Sequence, residues 1–266
     1  MAAKASSKSS PSIDRAIEVF VRGFAFARSL THPYEAHRVG SLWVVRDAPR
    51  KRAQDYRREE WVAHGIEAAE VDAIARRHTR GHFCVCAVRT MDEPDGPIRA
   101  AYKAAGYRLG STQSFMVHRL AKIPNVPQPL PVERVQTEEM ADRLAKAAGR
   151  RQILPAQLVP NAPERQYVAL DNAAPVGWAA SIAVGDSTDD SAGKATWVQS
   201  MYVLPAYRRR GIGKSILAKM LRDDRAHGSA ASYLLASHAG ALLYPNVGYE
   251  AIGELLVYTP RRTARP

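Results

Sequence analysis

The chain has 266 residues, of which 46% are hydrophobic and 24% are charged. This balance fits one large or two small folded domains and argues against wholesale disorder. The longest apolar runs are a handful of residues, far short of the roughly 20 that a membrane-spanning helix needs, so we expect no membrane-embedded segment. A formal net charge of +12 attracts polyanions, either a nucleic acid or a phosphorylated small molecule.

The first twelve residues are rich in Ala, Lys and Ser and contain no acidic residue. No apolar run follows them, so they do not resemble a secretory signal. We interpret residues 1–12 as a flexible, solvated tail and expect a cytoplasmic protein. An organellar address is the alternative.

The first half contains sparse periodic patterns. Cys84 and Cys86 lie two residues apart on a predicted strand, a spacing at which a disulfide is strained, so we expect buried thiols in a reducing compartment. No histidine is paired with Cys or Glu at metal-ligand spacing, and we predict no metal site. Helices are predicted over residues 13–30, 68–77 and 98–105, and strands over 41–45, 82–88 and 107–120.

Residues 123–131 contain four prolines, which exclude both a helix interior and a central strand. We interpret this segment as an extended linker. It would separate a first domain at residues 13–122 from a second domain at residues 132–260.

The second half alternates strands and helices. Turn-forming residues at 171–175 favour a hairpin between two of the strands. The order predicts an α/β unit in which helices cover a mixed sheet. Strands are predicted over residues 132–135, 166–170, 176–184, 195–204, 231–236 and 249–258, and helices over 138–148, 211–227 and 239–243.

Residues 202–214 join a predicted strand to a predicted helix. Gly211 and Gly213 let the backbone approach a ligand closely, and the first turn of the helix offers unpaired amides with roughly half a positive charge. This is the chemistry of a pyrophosphate cradle, whereas the alternative is a tight turn with solvated arginines. The dinucleotide fingerprint would need a third glycine, and a P-loop would need Gly-Lys-Ser/Thr after a longer spacing. The surrounding cations are Arg208, Arg209, Arg210 and Lys214.

This segment resembles the acetyl-CoA signature of the GNAT superfamily of N-acetyltransferases. The resemblance covers roughly residues 130–259, including the predicted order of elements. It implies a GNAT-like mixed sheet flanked by helices, in which the strand before the signature splays from its neighbour. The matching residues are Val203, Pro205, Arg208, Gly211 and Gly213, followed later by Ala241, Leu242, Leu243, Tyr244, Gly248 and Tyr249.

The resemblance also implies which residues hold acetyl-CoA. The backbone of the splayed strand would bind the pantetheine arm, through Met201, Tyr202 and Val203. Ser237 stands where relatives often have an asparagine that touches the cofactor, and a serine can still donate a hydrogen bond. The pyrophosphate would be held by Arg208, Arg209, Arg210, Gly211, Ile212, Gly213 and Lys214.

The reaction implied by the resemblance is direct attack of an amine on a thioester. An amine of pKa about 10.4 must first lose a proton, which costs roughly 4.6 kcal/mol at pH 7, so a base or a desolvated site is required. The leaving thiolate prefers protonation by roughly 2 kcal/mol at this pH, so an acid helps. Tyr244 matches the position that supplies this proton in the family, with a purely structural core tyrosine as the alternative.

Two features depart from the family pattern. Residues 196–202 contain no carboxylate, although many relatives place a glutamate base on this strand. The base is therefore unassigned, with a water chain held by Gln199 or Ser200 and a contribution from His238 as alternatives. Pro245 follows Tyr244 directly and should push it out of the α region and end the helix early.

The first half shares a short sequence repeat with the second, because Tyr102-x-x-x-Gly106-Tyr107 has the same spacing as Tyr244-x-x-x-Gly248-Tyr249. We therefore predict a smaller, degenerate GNAT-like domain that packs on the second domain and walls the acceptor cleft. Its cradle should follow the strand at 42–45, where residues 46–53 are basic but contain no glycine, so we expect no acetyl-CoA binding there. The six Lys and Arg of residues 46–58 should lie on a solvated helix face, with contacts to nucleic acid or an anionic acceptor as the alternative.

The sequence thus predicts an acetyl-CoA-dependent N-acetyltransferase for a small-molecule or peptide amine. An antibiotic, a polyamine, an amino acid and a protein terminus all remain open as acceptors, and so does a homodimer. One rival is a non-catalytic acyl-CoA-binding or regulatory module, favoured by the missing carboxylate and Pro245. The other, a nucleic-acid-binding protein, rests only on the net charge and is disfavoured.

Overall fold

The computed structural model describes residues 12–185, 193–238 and 240–261. In this part of the chain the strands form one mixed sheet in the order β1-β2-β3-β4-β11-β5-β10-β9-β8-β7-β6. The α-helices are α1 (Ile13–Arg28), α2 (Ala68–His78), α3 (Asp95–Ala104), α4 (Glu138–Ala148) and α5 (Ile212–Ala226). The strands are β1 (Tyr34–Val39), β2 (Leu42–Asp47), β3 (Glu59–His64), β4 (Phe83–Thr90), β5 (Tyr107–His118), β6 (Val132–Arg134), β7 (Glu164–Asp171), β8 (Ala174–Val184), β9 (Ala195–Val203), β10 (Ala231–Ala236) and β11 (Glu250–Pro260).

The last strand of each half forms hydrogen bonds with strands of the other half. β5 lies between β10 and β11, and β11 lies between β4 and β5. On either side of this central pair, β1–β4 and β7–β10 repeat one pattern of two antiparallel pairings followed by one parallel pairing. Because each half completes the sheet of the other, separating them would break backbone ladders on both sides.

Helices cover both faces of this sheet. On one face α1 and α4 bury apolar residues such as Phe20 and Leu144. On the other face α2, α3 and α5 do the same with residues such as Val71, Tyr102 and Ile216. Alternation of side chains along the strands separates the two cores. This is the α/β fold class predicted from the sequence.

A buried carboxylate fixes α5 to three adjacent strands. Asp224 is fully buried and accepts hydrogen bonds from Arg165 Nη2 at 2.6 Å, Ser181 Oγ at 2.7 Å and Thr196 Oγ1 at 2.9 Å. These donors lie on β7, β8 and β9, so the helix cannot slide along the sheet without breaking the set. Asp224 lies in the last turn of α5, so the anchor fixes this end of the helix against the sheet.

All six strands predicted for the second half and the helices predicted at 138–148 and 211–227 are present, with ends shifted by at most two residues. The predicted helix at 239–243 is instead a short 3₁₀ turn, Gly240–Leu242, followed by a second, Tyr244–Val247. Residues 1–11 of the predicted tail lie outside the described residues, and Ser12 accepts a hydrogen bond from the Arg15 amide to cap α1. Cys84 and Cys86 are free and buried, as predicted.

The prediction for the first half missed two strands, β1 and β3. Both contain polar residues, and the two glutamates that open β3 are buried, with Glu60 accepting a hydrogen bond from the Tyr34 hydroxyl. The helix α2 therefore follows β3 and not β2. The expected position of a first-half cradle, directly after residues 42–45, is wrong for this reason.

The prediction of a solvated helix face over residues 46–58 is also wrong. This segment holds only a short 3₁₀ turn, Ala53–Asp55. The Asp47 carboxylate is fully buried within it and accepts hydrogen bonds from Arg50 and Arg57. Burial alone would raise the pKa of Asp47, but these two guanidinium groups hold that pKa well below its usual range.

Within the described residues, no helix is long and apolar enough to cross a membrane. The same residues contain no cluster of three or more His, Cys, Asp or Glu side chains that could hold a metal ion.

We predict that Asp224→Ala lowers the free energy of unfolding by about 3–5 kcal/mol, because it leaves the buried Arg165 without its carboxylate. Urea denaturation measures this loss. Asp223→Ala, at the preceding position, is the matched control. It should lower the free energy of unfolding by only about 1 kcal/mol, because Asp223 is partly exposed and bonds Tyr167 and Lys219. If Asp224→Ala lost no more stability than Asp223→Ala, the bonds from Asp224 to the three strands would not be an important anchor.

Candidate functional site

The loop between β9 and α5 contains two left-handed residues directly before the helix begins. Arg209 and Gly211 both have left-handed backbones, with φ of +64° and +82°. A Cβ atom on Gly211 would meet nothing within 4 Å, so glycine is favoured there by its backbone conformation and not by lack of space. The predicted glycine turn is therefore present, immediately before α5 begins at Ile212.

The first turn of α5 leaves its amides available. The backbone N–H groups of Ile212, Gly213 and Lys214 have no hydrogen-bond acceptor among the residues that the structure describes. Unpaired amides at a helix N-terminus carry a partial positive charge and bind phosphate groups well. The loop and the helix start together form what we call the cradle, residues 208–214.

The four predicted cations of the cradle are not equivalent. Arg208 Nε donates to the Val203 carbonyl at 3.1 Å, and the Arg210 guanidinium lies 5.2 Å from the ring centre of Tyr207. Lys214 Nζ donates to Asn246 Oδ1 at 3.2 Å. These three side chains brace the loop, while Arg209 is exposed and bonds to no described residue. Arg209 is thus the cation best placed to contact a ligand directly.

Gly213 has a packing role. A Cβ atom at this position would lie 3.2 Å from Leu243 Cδ2 and 3.9 Å from Val203 Cγ2. Because glycine has no Cβ atom, the start of α5 can pack closely against Leu243, the residue before the 3₁₀ turn that begins at Tyr244. The second glycine of the motif thereby brings the cradle close to the segment that holds Tyr244, the predicted catalytic tyrosine.

The strand before the cradle separates from its neighbour, as the resemblance implied. β9 and β10 pair in parallel only at residues 195–197 with 231–233. At Ser200 the backbone of β9 enters the left-handed region, with φ of +55°, and the register with β8 shifts between Trp178 and Ala180. Beyond this bulge, Met201, Tyr202 and Val203 have no strand partner on the β10 side. Their backbone can receive an extended ligand.

Tyr244 is the first residue of the second 3₁₀ turn, which contains Pro245 at its second position. The chain departs from the predicted helix at Leu243, between the two turns. The Tyr244 ring is buried and packs edge-on against Tyr249, with ring centres 5.7 Å apart. Burial raises the pKa of Tyr244 to about 12. The hydroxyl therefore stays protonated at neutral pH and can serve as a donor.

Ser237 and His238 follow β10, and both are exposed. Ser237 Oγ accepts a hydrogen bond from the Gly240 amide at 3.2 Å and so closes the first 3₁₀ turn. Its hydroxyl proton remains available to a ligand. His238 lies at the same end of the strand.

The sequence reasoning missed Glu164, the first residue of β7. Its side chain is only 2% exposed, and burial raises its pKa to about 7, an effect that a hydrogen bond with Gln199 partly offsets. Gln199 immediately precedes the bulge at Ser200. The predicted strand began two residues later, so Glu164 fell in a loop, where a carboxylate is unremarkable. Had the strand been extended to residue 164, the sequence would have shown a glutamate at a position that faces the core. Because glutamates are rarely buried, this would have marked Glu164 as a candidate functional residue.

A cavity of about 440 Å³ opens between the carboxyl end of α4 and the part of β9 beyond the bulge. It lies entirely within the second half, so residues of the first half do not wall it. We call it the α4–β9 cavity. Its lining residues are Ala147, Ala148, Arg150, Gln152, Trp178, Ser200, Met201, Tyr202 and Leu204.

Comparison with known proteins points to one family. Residues 162–251 match the family model described as an acetyltransferase (GNAT) domain. No curated protein sequence matches this chain.

Several solved structures share the fold. A GCN5-related N-acetyltransferase from Kribbella flavida is 15% identical with a TM-score of 0.63, covering 93% of this chain and 96% of its own. One from Sphaerobacter thermophilus is 16% identical with a TM-score of 0.53, covering 81% and 75%. A tandem GNAT protein from the clavulanic acid biosynthesis pathway is 14% identical with a TM-score of 0.53, covering 95% and 97%.

The matched segment contains the splayed strand, the cradle and Tyr244. The solved structures extend the likeness of fold over most of the chain, and the tandem protein supports a two-domain layout. We conclude that residues 162–251 form an acetyltransferase domain of the GNAT family.

Proposed function

We propose that this protein is an acetyl-CoA-dependent N-acetyltransferase that acts on a small-molecule or peptide amine. The observation that carries the proposal is the gap between β9 and β10, which leads directly to the free amides of the cradle. A pantetheine arm needs an open backbone edge, and a pyrophosphate needs clustered donors. Both requirements are met within residues 201–214.

The residues fit acetyl-CoA in the following way. The backbone of Met201, Tyr202 and Val203 would bind the pantetheine arm, because this edge of β9 lacks a strand partner. The amides of the cradle and the Arg209 guanidinium would hold the pyrophosphate. Ser237, at the end of β10, would donate a hydrogen bond to the cofactor.

Acetyl-CoA would supply the acetyl group as a thioester, so that the C–N bond to the acceptor forms as the C–S bond breaks. Tyr244 would donate a hydrogen bond to the departing sulfur and then its proton, and the tyrosinate would regain a proton from water; the pKa of about 12 keeps the hydroxyl protonated beforehand. Glu164 would take up the proton that the amine releases. Its pKa of about 7 places it midway between holding and releasing a proton at neutral pH.

The first half fits a different role. β3 and β4 correspond in the sheet to β9 and β10, yet they pair in parallel over six consecutive residues and leave no gap. Only three residues, Gly65, Ile66 and Glu67, separate β3 from α2, and none of them is basic. We propose that residues 13–122 are a degenerate copy of residues 132–260 and bind no acetyl-CoA.

Gly211→Asp should weaken acetyl-CoA binding by at least about 100-fold, because it strains the turn and places a carboxylate beside the pyrophosphate. Isothermal titration calorimetry measures this change. Gly228→Asp is the matched control, since Gly228 has nearly the same φ, +83°, and equally open space, but lies just past the other end of α5. If both variants bound acetyl-CoA like the native chain, the cradle would not be the pyrophosphate site.

Tyr244→Phe should lower kcat by about 100-fold while leaving the Kd for acetyl-CoA unchanged, because only the proton donor is removed. Release of free thiol with a panel of amines provides the assay. Tyr249→Phe removes a hydroxyl from the neighbouring ring, which bonds Ser232, and should leave kcat nearly unchanged. A protein that binds acetyl-CoA but releases no thiol with any amine would instead be the non-catalytic acyl-CoA-binding module.

The value of kcat/KM should rise as the pH increases through about 7, because Glu164 accepts a proton only after it has lost its own. Glu164→Gln should abolish this rise and leave only the titration of the acceptor amine at higher pH. Glu133→Gln, on the exposed face of β6, is the control and should keep the native profile. An unchanged profile in Glu164→Gln would exclude Glu164 as the proton acceptor.

A further inference from the structure

The α4–β9 cavity contains a single charged side chain. Gly149 ends α4 in a left-handed conformation, with φ of +70°, and the chain then turns back toward β9. Arg150 lines the cavity and forms no ion pair with any residue that the structure describes. The next residue, Arg151, is neutralised by Asp142 at 3.1 Å and does not line the cavity. The two adjacent arginines therefore differ in both position and charge balance.

The segment that presents Arg150 is held in place. Gln152 is buried, lines the same cavity, and donates from Nε2 to the Arg150 carbonyl at 3.2 Å. This contact fixes the backbone of Arg150 at the edge of the cavity. The Arg150 side chain itself is exposed, and a guanidinium can bind a carboxylate with two hydrogen bonds.

The remainder of the lining is neutral and partly aromatic. Trp178 and Tyr202 face each other with ring centres 5.0 Å apart, beside Met201 and Leu204. The cavity therefore offers one place for an anion beside a neutral, largely apolar surface.

The charge balance argues against polycationic acceptors. The lining contains no Asp or Glu, so the additional ammonium groups of a polyamine or an aminoglycoside would find no carboxylate partner there. Glu164, the proposed proton acceptor, does not line the cavity and would serve only the single reacting amine. The net charge of +12 adds long-range repulsion for such molecules and attraction for anions.

We propose that the acceptor is an amino acid, that is, an amine that also bears a carboxylate, and that it binds in the α4–β9 cavity with the carboxylate on Arg150. This inference rests on the proposed function, because it assigns the acceptor of the same reaction. β9 connects the two sites, since its residues beyond the bulge line the cavity and also form the edge proposed to bind pantetheine. Arg150 determines specificity here and takes no part in the chemistry.

The test compares acceptors that differ only in the carboxylate. L-Leucine and L-phenylalanine are measured against L-leucinamide and L-phenylalaninamide, with spermidine and kanamycin as cationic probes. Thiol release gives kcat and KM, and calorimetry gives the Kd of each acceptor for the chain with CoA bound. The native chain should prefer each amino acid over its amide by about tenfold or more in kcat/KM, and also in Kd, which does not depend on turnover.

The variants Arg150→Gln and Arg151→Gln form a matched pair. Arg150→Gln should remove the preference for the carboxylate by raising the KM of the amino acids about tenfold, with little change in kcat. Arg151→Gln should behave like the native chain. Neither variant should change the Kd for acetyl-CoA.

Three results would overturn the proposal. The first is equal or better turnover of the amides or of the cationic probes. The second is a weaker Kd for acetyl-CoA in Arg150→Gln, which would place this arginine on the cofactor. The third is turnover of none of the amino acids. If the native chain also failed to bind acetyl-CoA, the proposed function would fail as well, whereas normal acetyl-CoA binding would confine the failure to the acceptor.

Discussion

The candidate site depends on the end of β10 being paired on one side only, with β5. β10 pairs with β5 over five residues, 232–236, while its pairing with β9 stops after three. Because β5 keeps β10 in the sheet, β9 can turn away without leaving β10 as a loose edge. The bulge at Ser200 then directs β9 away from its neighbour, and the close approach that Gly213 allows to Val203 and Leu243 sets the start of α5 against the end of the gap. The exchange of β5 and β11 between the halves thus helps to keep open the gap that we propose binds the cofactor.

The two halves share a pattern of pairing but differ where a ligand would bind. In the first half, the strands corresponding to β9 and β10 remain paired throughout, and the turn that follows is short and includes Glu67. A closed ladder satisfies its own amides and carbonyls and therefore has no free edge to offer. In our account, the first half contributes the strand that supports β10, together with α1, which packs across β8 and β9. Its role in the proposed function is to shape the second half.

The sequence predicted the glycine turn at the start of α5 because glycine and helix-start patterns are local signals. The same holds for the elements of the second half, whose apolar periodicity is regular. It failed for β1 and β3, because their polar residues are satisfied by distant partners, as the Tyr34 hydroxyl satisfies Glu60. Glu164 was missed for a related reason, since its raised pKa comes from burial that no spacing rule reports. The exchange of β5 and β11 was also beyond prediction, because which strands pair across a sheet is decided by packing of the whole chain.

The most direct test of this account is a crystal structure of the chain with acetyl-CoA. We expect one molecule per chain, with its pyrophosphate on the amides of the cradle beside Arg209 and its pantetheine arm along Met201, Tyr202 and Val203. The turn at Gly65 in the first half should be empty. Acetyl-CoA bound at that turn, or bound elsewhere with the gap between β9 and β10 left open, would contradict the central claim that the separation of these two strands creates the cofactor site.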